Sequence, residues 1–163
     1  MTVRNMKGLA KDSVLFGALV GRFERKLGRD RLLTIPAEWV TCLVECSFVC
    51  VMPDPRERCL IILPASLMGM ELARLRSTLS NDIEMSKVLL EIGKVTERLV
   101  LDRRHRIRIS DKLLDFAGIG NRALLFGSVH SVKVWDPDIL EKQRCAFNEA
   151  DQDERSDQND EVE

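Results

Sequence analysis

A run of basic side chains interrupts an apolar pattern in "LDRRHRIRIS", residues 101–110. The residues that follow Asp102 are Arg103, Arg104, His105, Arg106, Ile107 and Arg108. Each buried guanidinium would need a partner to offset its desolvation, so this loop is predicted to be exposed. The alternation of arginine and isoleucine from position 106 to 109 predicts a strand with one basic face and one aliphatic face. Such a strand could lay its arginines on phosphates or place an arginine fork against a guanine edge.

Two interpretations of this basic strand remain open at this point. It could contact nucleic acid, or it could be an exposed strand end that pairs with acidic groups at a subunit contact. A second stretch, "LGRDRLLTIP" at residues 27–36, has the same apolar frame but different charges. Arg29 and Arg31 of this stretch are candidates for additional phosphate attraction.

Motifs that would indicate catalysis or a bound cofactor are missing from the sequence. There is no nucleophile elbow, phosphate-cradling glycine loop or paired carboxylate, and "GSVH" at 127–130 lacks the frame of G-x-S-x-G. The five cysteines form no C-x-x-C pair, so we expect reduced thiols packed as small hydrophobic groups. His130 has no nearby cluster of ligand residues in the sequence. We therefore predict no catalytic residues, no metal, no cofactor and no small-molecule substrate.

Composition indicates a globular chain with an uneven distribution of charge. Of the 163 residues, 45% are hydrophobic and 31% are charged, which suits one compact domain or two small ones. The apolar runs are too short to span a bilayer and the start lacks the pattern of a signal peptide, so we expect a cytoplasmic protein without a membrane partner. Residues 148–163 hold eight acids and one base, which leaves 24 basic and 18 acidic residues in the rest of the chain. This balance fits a body that attracts a polyanion and an acidic tail that stays solvated.

The order of predicted elements occurs twice along the chain. Residues 16–66 and 95–143 each read as a strand, a charged turn, a short strand, a short helix and a hairpin, and with a shift of 74 Leu33 meets Ile107 and Ile35 meets Ile109. Pro36 starts the first helix, whereas Ser110 caps the second and Gly118 stops it. Residues 67–94 read as two amphipathic connecting helices. Residues 1–15 are predicted to be a flexible arm and 144–163 an acidic disordered tail, with a short helix near "DPDILEKQRCAF". The fold class predicted is α+β.

These duplicated units, joined by helices and closing with "VKVWDP", resemble the MraZ family of bacterial regulators over residues 17–143. The resemblance implies two AbrB/SpoVT-like, β-barrel-type units of short strands and short helices. It implies a DNA-binding transcriptional regulator, associated with the nucleoid, whose partner is double-stranded DNA. It further implies a ring-like homo-oligomer that reads short promoter repeats of a division and cell-wall gene cluster.

The family's functional residues match the second unit better than the first. In the second unit Asp102 and Arg106 match the family's Asp and Arg, His105 stands at the glycine position, where positive φ is expected, and Ser110 stands at the proline position. An aspartate four residues before an arginine could accept hydrogen bonds from the loop backbone and orient the guanidinium. The second unit is therefore expected to carry most of the contact with DNA.

The first unit departs from the family at the same positions. Gly28 stands at the Asp position, Arg31 at the glycine position and Leu32 at the Arg position, although Leu33, Ile35 and Pro36 match. This unit is expected mainly to complete the fold and the ring. The departure keeps an alternative open, namely an oligomeric interaction protein or antitoxin-like protein of the same fold that has lost specific DNA binding.

Overall fold

The described residues of the first half of the chain form four strands and one short helix. The structure is a computed structural model that describes residues 18–43, 48–54, 56–77 and 82–156. The elements in this half are β1 (Arg22–Lys26), β2 (Leu32–Thr34), α1 (Ala37–Leu43), β3 (Phe48–Pro53) and β4 (Leu60–Pro64). This is the order that the alternation of apolar residues and the position of Pro36 predict.

Two helices connect the halves, as their amphipathic pattern predicts. A 3₁₀ turn at Ala65–Leu67 leads into α2 (Met68–Ser77), and α3 covers Asp82–Val95. Met52, Leu63 and Ile92 belong to a small core cluster that this connector covers on one side of the sheet.

The second half repeats the same order of elements. It contains β5 (Glu97–Val100), β6 (Arg106–Arg108), α4 (Asp111–Ala117), β7 (Arg122–Gly127) and β8 (Val132–Trp135). The hydroxyl of Ser110 accepts a hydrogen bond from the backbone N–H of Leu113, and Gly118 ends the helix in the left-handed conformation. The predicted cap and stop of this helix are therefore confirmed.

The last helix is longer than the sequence suggested. α5 runs from Pro137 to Ser156, so the prediction of a disordered tail beginning at residue 144 is wrong for residues 144–156. That prediction rested on the lack of apolar residues, whereas seven of the thirteen residues of this stretch are alanine, glutamate, arginine or glutamine, which favour helix. Residues 157–163 and the predicted flexible arm at 1–15 lie outside the described residues.

Strands from both halves pair in one antiparallel sheet of six strands. Its order is β1-β7-β8-β4-β3-β5, and β2 pairs with β6 in a separate two-stranded ribbon. The counterparts in the two halves are β1 and β5, β3 and β7, and β4 and β8. If each strand is replaced by its counterpart, the same order results, read in reverse. The edge strands β1 and β5 thus each pair with the hairpin of the opposite half. The α+β class with an antiparallel sheet and short helices is confirmed.

The ribbon is attached to the sheet by a shared apolar core. One side of the ribbon contributes Leu33 and Ile107, and the helices contribute Trp39 and Leu113, all of which are buried in the main cluster. The ring of Phe23 meets that of Trp39 edge-on at 4.8 Å, and the Trp39 indole N–H donates to the carbonyl of Val20 at 2.9 Å. This packing fixes the ribbon, which carries the basic loop, against the rest of the molecule.

Candidate nucleic-acid interface

The ribbon brings the two charged turns of the chain into one structural unit. In its antiparallel ladder Leu32 lies opposite Arg108, Leu33 opposite Ile107 and Thr34 opposite Arg106. Each turn precedes its own strand, so the first turn (residues 28–31) and the second turn (residues 102–105) lie at opposite ends of the ribbon. The backbone N–H of Ile35 donates to the carbonyl of His105 at 2.8 Å, and that of Ile109 donates to the carbonyl of Arg31 at 3.0 Å.

In the second turn, Asp102 organises both the backbone and an arginine. Its Oδ1 accepts hydrogen bonds from the backbone N–H groups of Arg104 at 2.8 Å and Arg106 at 2.9 Å. Its Oδ2 accepts from the Arg106 Nε at 2.8 Å and lies 2.7 Å from the Arg106 Nη2. The predicted geometry, in which the aspartate holds the loop and orients the guanidinium, is confirmed.

The charge of Asp102 is stabilised by these bonds. The hydrogen bond from the Arg106 side chain, followed by the backbone N–H groups of Arg106 and Arg104, lowers the pKa of the Asp102 carboxyl below its ordinary value. Asp102 thus remains ionised at neutral pH. Because Asp102 takes the Nε side of the Arg106 fork, the Nη1 end of that guanidinium is left for another acceptor.

The outward face of the ribbon differs sharply between its two strands. Leu33 and Ile107 are fully buried, so their neighbours on each strand point to the opposite face. On that face β6 presents Arg106 and Arg108, whereas β2 presents Leu32 and Thr34. The arginine face predicted for this strand is confirmed, and only one strand of the ribbon carries it.

Most of the other predicted site residues are exposed. Arg103, Arg104, His105 and Arg108 are exposed. Across the described part of the chain, no ion pair engages the side chains of Arg29, Arg103, Arg104 or Arg108. Arg29 is also exposed, but it belongs to the first turn and lies at the other end of the ribbon. The structure therefore gathers five of the eight predicted residues, 102–106, at the second turn. Arg108 lies at the other end of β6, opposite Leu32, and Arg29 and Arg31 lie in the first turn.

The backbone of the two turns follows the same path despite their different sequences. His105 has φ of 60°, as its position in the motif predicts, and Arg31 has φ of 57°. Both residues donate their backbone N–H to a carbonyl three positions earlier, at 3.0 Å for Asp102 and 3.1 Å for Gly28. Positive φ is uncommon for such side chains, so tertiary contacts hold both turns in this conformation.

The sequence did not indicate the partner of Arg31. Its Nε lies 2.7 Å from Oδ1 of Asp111, the first residue of α4 in the other half of the chain. The contact depends on the pairing of β2 with β6, and no local pattern predicts it. The guanidinium of Arg31 is thus already paired with a carboxylate, whereas a phosphate-binding side chain is expected to be unpaired.

A second charged group, also unanticipated, lies in the turn between β3 and β4. Asp54, Glu57 and Cys59 place their ligand atoms within 4.8 Å of one another, the spacing of possible metal ligands. The ammonium of Lys133, from β8, lies 3.1 Å from the buried Oδ2 of Asp54 and also contacts Glu57. The chain itself therefore supplies one cation between these two acids. A neighbouring cavity of about 380 Å³ is lined by side chains of both charges.

No helix in the described ranges is both long enough and apolar enough to cross a membrane.

The fold is an antiparallel α+β fold built from two similar halves, which together form the ribbon. The ribbon carries Arg106, which Asp102 orients, and exposed arginines that form no ion pair with the described residues. Over 127 residues the chain is 29% identical to the transcriptional regulator MraZ of Thioalkalivibrio sulfidiphilus, a match that covers 74% of this chain and 81% of that protein. This similarity confirms the resemblance to the MraZ family that the duplicated pattern predicted. No family model matches the chain.

Proposed function

We propose that this chain is a DNA-binding transcriptional regulator of the MraZ type, and that it contacts double-stranded DNA through the outward face of β6 and the turn before it. The observation that carries the proposal is the bond network from Asp102 to Arg106. It restricts the guanidinium before DNA arrives, which reduces the entropy lost on binding. The name of the similar protein supports the same class of function.

In this proposal the arginines have different tasks. The free end of the Arg106 fork suits two adjacent acceptors, such as N7 and O6 of guanine in the major groove. Arg103, Arg104 and Arg108 are exposed and unpaired in the described structure, which suits phosphate contacts. The turn backbone, fixed by Asp102, would position Arg103 and Arg104, whereas Arg108 is positioned by β6.

The AbrB-like organisation belongs to the same proposal. Leu33 and Ile107 occupy equivalent positions 74 residues apart and are direct partners, and Ile61 and Lys133, 72 apart, are partners in the β4–β8 ladder. The strand order of the sheet is also the same in reverse when counterpart strands are exchanged. These observations support two AbrB-like units, at 16–66 and 95–143, that exchange their first strands. A local twofold axis passing through both partner pairs would relate the two halves.

We further propose that the protein assembles into a ring and reads short repeats in a promoter, in the cytoplasm and associated with the nucleoid. A gene cluster for division and the cell wall is the target that the resemblance implies. Repetition of one weak contact around a ring would raise the overall affinity, provided that the spacing of the repeats matches that of the subunits. Light scattering of the purified chain measures the number of subunits, and a monomer would remove this part of the proposal. The function needs no catalytic group, so the chain is proposed not to be an enzyme.

Binding to DNA from upstream of the chain's own gene, measured by fluorescence anisotropy over a series of salt concentrations, tests the proposal. Arg106→Ala should weaken specific binding by about 1–3 kcal/mol, roughly 5- to 150-fold. Arg106→Lys retains the charge but not the fork and should lose discrimination against scrambled DNA. Arg76→Ala removes an exposed arginine from α2 and serves as the matched control. Equal affinities of wild type and Arg106→Ala would refute the assignment of the site.

One observation favours a second candidate, an oligomeric interaction or antitoxin-like protein of the same fold. The first unit has Gly28 and Leu32 where the second has Asp102 and Arg106, so β2 contributes no charge to the ribbon's outward face. A folded, oligomeric sample that binds specific and scrambled DNA equally would support this candidate over the regulator.

A further inference from the structure

The arginines of the two turns are held by acids in different ways. In the second turn the acid precedes the arginine in the same loop, and Asp102 both fixes the backbone and orients Arg106. In the first turn the acid comes from the other half of the chain, where Asp111 begins α4 and binds Arg31. Arg106 therefore stays on the outward face of the ribbon, whereas Arg31 contacts the start of α4.

The contact between Arg31 and Asp111 has no equivalent at the other end of the ribbon. By the shift of 74, the counterpart of Asp111 is Ala37, and the counterpart of Arg31 is His105. The backbone bonds are matched, since Ile109 donates to Arg31 just as Ile35 donates to His105. The two ends thus share a backbone geometry but differ in their acids, with Asp111 from α4 at the first turn and Asp102 within the second.

We infer that Asp111 is a specificity-determining residue that weakens the engagement of DNA by the first turn, so that the ribbon favours one polarity on DNA. This inference rests on the proposed function. Asp111 neutralises Arg31 and places a negative charge where a phosphate would approach the first turn. DNA is then attracted to the end of the ribbon that carries Arg103, Arg104 and Arg106, and an inverted orientation is disfavoured.

The strength of this effect is limited by exposure to solvent. The side chains of Arg31 and Asp111 are 43% and 70% exposed, and exposed ion pairs contribute about 0.2–1 kcal/mol. A phosphate could therefore compete for Arg31 once Asp111 is neutralised. The exposed position also means that Asp111→Asn, which retains the shape of the side chain, should leave the fold intact.

The experiment compares DNA affinity and its salt dependence in four proteins: wild type, Asp111→Asn, Arg31→Ala and the double variant. Asp111→Asn should bind DNA about two- to fivefold more tightly at low salt, because Arg31 is released. Its plot of log affinity against log salt should steepen by about 0.9, the value for one added phosphate contact. Its specificity for the upstream sequence over scrambled DNA should fall. Arg31→Ala alone should bind like wild type.

Two comparisons separate release of Arg31 from a general loss of negative charge. Asp115→Asn removes an exposed acid from the next turn of the same helix and should leave affinity and salt slope unchanged. In the double variant the gain should disappear, since the released arginine is gone. A gain that persists there, or one matched by Asp115→Asn, would overturn the inference.

The outcome also separates this inference from the proposed function. If wild type binds specifically and loses affinity on Arg106→Ala, but Asp111→Asn changes nothing, only the inference fails. If Arg106→Ala binds like wild type, the proposed site fails whatever Asp111→Asn does. Thermal unfolding of each variant verifies that the proteins compared are folded.

Discussion

Leu33 and Ile107 face each other in the β2–β6 ladder, and both side chains are fully buried. They also occupy equivalent positions in the two similar halves of the sequence. At these buried positions of the ribbon both halves have a large aliphatic residue. At the outward positions beside them, β2 has Leu32 and Thr34 whereas β6 has Arg106 and Arg108. The apolar side of the ribbon is constrained by packing, and the outer side is free to change in charge.

Shortening Ile107 should destabilise the whole molecule. Ile107→Ala removes buried methyl groups at the ribbon's contact with the core, and we expect the free energy of unfolding to fall by about 2–5 kcal/mol. Urea denaturation followed by circular dichroism measures the change. Leu90→Ala, at a helical side chain that is 58% exposed, should change the free energy of unfolding by less than about 0.5 kcal/mol. A similar loss in both variants would show that the ribbon is not anchored through Ile107.

Local features of the fold were predictable from the sequence because they depend on neighbouring residues. The alternation of arginine and isoleucine predicts β6 and its two faces, and Ser110 and Gly118 predict the two ends of α4. His105 could be assigned a positive φ because it stands at a glycine position of the motif. The bonds of Asp102 to Arg106 also span only four residues.

Other features depend on contacts between distant parts of the chain, or on a small difference between opposing tendencies such as helix propensity and low apolar content. Repetition of the elements does not indicate that β1 pairs with β7, and the contact of Arg31 with Asp111 follows only from the β2–β6 pairing. The true length of α5 was missed because low apolar content was given more weight than helix propensity.

A side chain at Gly118 should destabilise the fold, for two reasons. Its φ is 65°, and a Cβ atom there would lie 2.6 Å from Cδ1 of Ile139 and 2.9 Å from a guanidinium nitrogen of Arg58. Gly118→Ala should therefore lower the free energy of unfolding by at least about 1–2 kcal/mol. Gly120→Ala is the matched control, because a Cβ at Gly120 meets nothing within 4 Å. Equal melting temperatures of the two variants would contradict the strain expected at Gly118.

The carboxyl of Asp102 should titrate below its ordinary pKa of 3.8, because Arg106 and two backbone N–H groups stabilise its charge. A group with a depressed folded pKa stabilises the folded state above the unfolded pKa. That stability is lost as the pH falls through the folded pKa. Carboxyl ¹³C NMR over an acid titration measures the midpoint directly.

Two variants separate the causes of this shift. Arg106→Ala should move the Asp102 midpoint up toward 3.8, since the bond from the Arg106 side chain is the largest cause of the shift. Arg104→Ala retains its backbone N–H and should keep the midpoint low. A midpoint in wild type at or above 3.8 would show that the pair does not form in solution.

The thiols should differ widely in reactivity. Burial, together with the adjacent carboxylate of Asp54, raises the pKa of Cys59 to about 12, so very little thiolate exists at pH 8. Cys145 is exposed on α5. Iodoacetamide at pH 8 should therefore label Cys145 within minutes and leave Cys59 unmodified until the protein is unfolded in guanidinium chloride. Mass spectrometry of the tryptic peptides measures both rates, and labelling of native Cys59 at the rate of Cys145 would show that the β3–β4 turn opens readily.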